Sequence, residues 1–184
     1  MSHPARNASS DNIPNPTRTF FVTTKTSMGR RVLQSERNAG LLIDVLRSLV
    51  AEHKFKLHDF VVMPDHLHVL LTVEEGMTIE KGMQLIKGRF SHRLSHEFGY
   101  LGEVWQRGFA DVQVVNRESF LQHRKYIAMN PVKAGLVDSP EKYPFCFESL
   151  ARSKAGAKAL DSLAETTGTT EVVPFHNATT NVLK

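Results

Sequence analysis

The chain has 184 residues, 41% of them hydrophobic and 23% charged, with a formal net charge of +4. These values fit one globular domain with tails and exclude wholesale disorder. The lone cysteine, Cys146, excludes an internal disulfide and a cysteine-rich zinc framework. No apolar run approaches the roughly 20 residues that span a bilayer.

Residues 1–16, with Pro4, Pro14 and Pro16 among small polar side chains, are expected to form a flexible tail without a signal-peptide core. The expected location is therefore cytoplasmic. Next, "RTFFVTTKT" reads as a strand. Ser35 caps a helix running to about His53, with Leu42, Val45, Leu46, Leu49 and Val50 on one stripe. "KLHDFVVM" and "HLHVLLTV" follow as two strands separated only by Pro64 and Asp65, a hairpin-length break. Thr78 opens a second long helix to about Phe98, and "VWQRGFADVQVV" is expected as a fourth strand. Asn116 caps a last helix that should stop before Pro131, because the residue preceding proline disfavours helix. Residues 151–184 read as an ill-packed extension, with a short helix around Ala155 to Ala164. The order β-α-β-β-α-β plus a helix predicts an α+β, ferredoxin-like antiparallel sheet in one domain over 17–150.

Three groups of side chains stand out. In "HLH", His66 and His68 leave one strand face while Leu67, Val69, Leu71 and Val73 leave the other. Taken alone, such a pair is more often a polar solvent face than a site. On the second helix, Lys81, Arg89, His92, Arg93 and His96 project to one side. They form either a solvated face or a phosphate-tracking surface, which Arg30, Arg31, Arg107 and Lys125 would extend. Trp105 and Phe109, beside Arg107, are either core residues or platforms for an unpaired base.

The last helix should bury Phe120, Leu121, Ile127 and Ala128, with Arg124 reaching out past them. Its opposite face carries Ser119, Gln122, His123, Tyr126 and Asn130, and the i, i+4 spacing stacks Tyr126 and Asn130. Two imidazoles and an amide oxygen complete a mixed N/O set suited to Mg²⁺ or Mn²⁺, with positions left for phosphate oxygens. A tyrosine one turn from a ligand is then a candidate nucleophile at phosphorus.

"VVMPDHLHVLL" followed by "YIAMNPVKAGLV" resembles the single-tyrosine HUH transposases of the IS200 type, most closely the REP-associated tyrosine transposases. The flanking "WQRGF" and "KYPFCFESL" extend the likeness over about Arg18 to Leu150. Asp65 stands where the family often has Asn, and "CFES" where it often has paired serines. The resemblance implies a DNA nicking and strand-transfer enzyme with Tyr126 as nucleophile and His66, His68 and Asn130 as metal ligands. Single-stranded or hairpin DNA is the implied partner, and the implied state is monomer or homodimer. The competing expectation is a hairpin-binding module of the same fold that has lost cleavage.

Overall fold

The computed structural model describes residues 18–152. The expected N-terminal tail and the extension beyond Arg152, including the helix around Ala155, lie outside the described residues. Within them four strands, β1 (Arg18–Lys25), β2 (Lys56–Val62), β3 (His66–Val73) and β4 (Ala110–Val114), form one antiparallel sheet in the order β2-β3-β1-β4. Helices α1 (Glu36–Ala51) and α2 (Ile79–Phe98) intervene between strands, and α3 (Arg117–Lys133) and the short α4 (Phe147–Arg152) follow. This is the expected split β-α-β arrangement. No helix among the described residues is long and apolar enough to cross a membrane.

Strand alternation sorts the side chains into two layers. Phe20, Val22, Leu67, Val69, Leu71 and Val73 pack with the apolar stripes of α1 and α2 in the larger core. Val61, Met63 and Leu70 leave the opposite face and meet Ile127 of α3, together with Tyr143 and Cys146 from the segment after it. The face carrying the histidines is therefore covered by a helix, not by solvent.

Helix starts follow their caps. Ser35, Thr78 and Asn116 each accept a bond from the backbone N–H three residues on. Gly99 closes α2 at φ 65°, a left-handed conformation that glycine adopts without a Cβ penalty.

Four sequence expectations are corrected. The fourth strand begins only at Ala110, because "VWQRGF" folds into a loop held from α2. Lys87 Nζ donates to the carbonyls of Gln106 and Gly108, at 2.8 Å each, and Trp105 Nε1 donates to the Lys87 carbonyl. Helix α3 runs through Pro131 to Lys133. A proline so near the end removes one internal donor, and the turn closes through Ala134 N–H to the Asn130 carbonyl and Leu136 N–H to the Pro131 carbonyl. Leu121, expected inside, is 50% exposed, and Arg124 turns inward to Asp59 instead of outward.

Candidate active site

β3 pairs with β1 so that His68 lies opposite Thr23 and His66 opposite Lys25. Register therefore decides what orients the His68 imidazole, whereas His66 is oriented by its neighbour in the chain, Asp65. His68 Nδ1 is 2.7 Å from Thr23 Oγ1, and His66 Nδ1 is 2.7 Å from the Asp65 carboxylate. A ring whose Nδ1–H is given to an oxygen keeps its Nε2 lone pair for another partner, as in histidines that bind metal. The two rings stand edge to face with centroids 4.7 Å apart.

Burial reinforces this. His68 is only 4% exposed. Burial, with smaller contributions from His66 and the Lys25 charge, pushes its pKa down to about 3, so it is neutral at physiological pH. A neutral imidazole is the form that ligates.

Helix α3 brings the tyrosine to the same place. The Tyr126 ring meets His68 edge-on at 5.3 Å between centroids, and Phe21 from β1 fills the angle between them, 5.7 Å from Tyr126. Phe21 also stacks on His123 at 4.4 Å and 13°. The face of α3 that looked like a solvent face is thus turned partly onto the sheet. Tyr126 remains 42% exposed, so a substrate can reach its phenol. Lys133, two turns on, holds its Nζ 5.1 Å from the centre of the tyrosine ring. Asn130 is half-buried, one turn beyond Tyr126 on the same side of the helix.

Among the described residues no three His, Cys, Asp or Glu side chains converge as a metal cluster. The Asn130 amide offers an oxygen of the type that suits a hard divalent ion.

The proposed DNA contacts divide. Arg107 lines a cleft of about 630 Å³ with Lys25, Ser27, Met28, Gly29, Asp65, Glu103 and Gln106, next to His66. Lys125 is exposed on α3 beside Tyr126. Arg31 is exposed on the neighbouring loop, whereas Arg30 is spent on structure, its guanidinium donating to the carbonyls of Ser27 and Glu103. The α2 row does not join the site, because α2 packs on the other face of the sheet. Lys81 bonds Gln84, Arg89 forks onto Glu52, and Arg93 forks onto Glu97. Trp105, 6% exposed, packs against Phe90 and offers no face to a base.

Sequence reasoning did not single out Thr23, Lys25, Phe21 or Lys133 for the site, nor a functional role for Asp65. Strand register would have found the first two, and helical spacing places Lys133 seven residues from Tyr126, nearly two full turns.

The family model described as "Transposase IS200 like" matches residues 20–130. A REP-associated tyrosine transposase of Escherichia coli (strain K12) is 30% identical over 95 residues, 51% of this chain and 54% of that protein. The chain thus spans about half the length of that relative. The ISDra2 transposase TnpA of Deinococcus radiodurans is 28% identical over 103 residues, 53% of this chain and 72% of that protein. A solved structure of a REP-associated tyrosine transposase bound to a REP hairpin shares the fold, with a TM-score of 0.62 at 24% identity over 100% of both chains.

Proposed function

The chain belongs to the IS200-like transposase family, and we propose that it is a metal-dependent DNA nicking and strand-transfer enzyme acting on single-stranded, hairpin-containing DNA through Tyr126. The observation that carries this reading is the edge-on contact of Tyr126 with His68, beside a second imidazole whose Nδ1 is likewise engaged. His66, His68 and Asn130 would hold Mg²⁺ or Mn²⁺. When bound, such an ion supplies Lewis-acid polarisation of the scissile phosphate.

The chain's own residues do the rest. Tyr126 Oη forms a bond to phosphorus as the bond to the leaving nucleotide oxygen breaks, giving a phosphotyrosine and a free hydroxyl end. The stored phosphodiester energy lets the reverse attack reseal a strand without ATP. Lys133 sets positive charge beside the nucleophile, and Phe21 fixes the ring's tilt. Lys25 and Arg107 line the cleft next to His66 and suit the backbone of the incoming strand.

The relatives include proteins named as REP-associated transposases, which supports palindromic repeat hairpins as the substrate class. The test is incubation with a single-stranded hairpin and Mn²⁺, read on a denaturing gel. A covalent protein–DNA adduct is expected, lost in Tyr126→Phe and on chelation, with hairpin binding retained. Tight binding by the unmutated protein without any adduct would replace this reading with that of a silent hairpin-binding module.

A further inference from the structure

Helix α3 has little oil with which to hold itself in place. Only Ile127 and Pro131 are buried along its length. Apolar packing is non-directional, so a helix attached this sparsely needs directional contacts to fix its rotation and height on the sheet. Beside the ring contacts from Phe21 and His68, two such contacts come from an irregularity in β2.

The pairing of β2 with β3 shifts between Leu57 and Asp59. Such a bulge sends two consecutive side chains to the same side of a sheet. Here they are His58 and Asp59, and both meet α3. His58 lies edge-on to Phe120 at 5.3 Å, while its Nε2 is 2.6 Å from Thr72 Oγ1, itself 2.7 Å from Thr19 Oγ1. The chain of side-chain bonds crosses β2, β3 and β1. Asp59 is 5% exposed, the one buried acidic side chain among the described residues. Its carboxylate accepts from Arg124 Nε at 3.1 Å and from the Phe60 N–H at 2.8 Å. Arg124 stands two residues before Tyr126.

A buried carboxylate with one strong partner is costly to strand, so it enforces its geometry on whatever carries the partner. We propose that Asp59 and Arg124 are positioning residues: their ion pair sets the register of α3 on the sheet and so holds Tyr126 against His68. The proposal rests on the reading of Tyr126 as nucleophile for its catalytic consequence, but its geometric content is independent of that reading. Neither residue touches the reacting atoms. Each acts through the placement of the phenol, where a shift of about 1 Å is enough to lose on the order of 10²-fold in rate.

The test uses the full chain with Asp59→Asn, Arg124→Gln and the double variant, at a temperature where thermal melts show all of them folded. Two readouts are taken. The first is single-turnover adduct formation at saturating hairpin DNA and Mn²⁺, beside the hairpin Kd. The second is the nuclear Overhauser contact between the Tyr126 and His68 rings in selectively labelled protein. The latch predicts a fall of about 10²-fold in adduct rate for either single variant, with Kd within about threefold. The double variant should be no slower than the slower single one, since both remove one interaction, and Arg124→Lys should recover part of the rate. The ring contact should weaken in each slowed variant. Folded single variants that keep both the ring contact and the rate overturn the proposal. An unmutated protein that shows the ring contact, loses it in Asp59→Asn and yet forms no adduct sustains the latch while overturning the nicking function.

Discussion

Thr23 Oγ1 lies 2.7 Å from His68 Nδ1, directly across the β1–β3 ladder, so the orientation of the deepest imidazole is dictated by strand register. Removing that oxygen while keeping the shape, as in Thr23→Val, frees the ring to rotate. Mn²⁺ affinity should fall about 10- to 100-fold, with Thr23→Ser close to the unmutated protein. Titration followed by Mn²⁺ electron paramagnetic resonance checks this without any DNA. Unchanged affinity in Thr23→Val would remove His68 from the ligand set.

Arg107 and Arg89 provide a contrast between a cleft residue and a scaffold residue. Arg107 lines the cleft beside His66, and Arg89 is forked onto Glu52 on the opposite layer. Arg107→Gln, and likewise Lys25→Gln, should each reduce the slope of log K against log salt by about 1. Arg89→Gln should leave that slope alone. Hairpin binding measured across a salt series separates the two outcomes.

Trp105 offers a third check. Its ring packs on Phe90 and its Nε1 bonds the Lys87 carbonyl, so Trp105→Ala should destabilise the fold by about 3–5 kcal/mol. If it were a base platform instead, binding would suffer and stability would not. Urea unfolding beside hairpin binding distinguishes these.

The bulge predicts an unusual response to acid. Burial, followed by the Lys56 and Arg124 charges, pushes His58 down from 6.5 to about 4. A depressed folded-state pKa means that the unfolded chain binds more protons, so this stability is present above pH 6.5 and lost as pH falls towards 4. Burial raises Asp59 from 3.8 to about 6 despite Arg124, so here the native state binds more protons and stability falls as pH rises from 3.8 to 6. The two neighbours oppose each other over the same window, each at a scale on the order of 3 kcal/mol. His58→Gln should therefore flatten the acid loss and Asp59→Asn steepen it. Urea midpoints between pH 4 and 7 report both slopes.

Much of the fold was legible because its local signals agree. Ser35, Thr78 and Asn116 sit at the three helix starts, and the alternation through Leu67 and His68 gives the sheet its two faces. The contact between Tyr126 and His68 was anticipated only as a grouping of motifs. Periodicity cannot say which side of a sheet a helix covers, which is why the basic row of α2 looked as eligible as Arg107. The expected buried stripe of α3 misled for a related reason. Arg124 looked like a residue forced outward, because the partner that draws it inward is delivered by a bulge, and one extra residue in a strand leaves no periodic trace.

Tyr126 and His68 meet within one polypeptide, so on the proposed reading a single copy carries both the nucleophile and a metal donor. Turnover per molecule should then be indifferent to dilution. Mixing His68→Ala chains with Tyr126→Phe chains should yield no adduct, since neither can lend the other what it lacks. Recovery of adduct on mixing would mean that the helix of one copy serves the sheet of another.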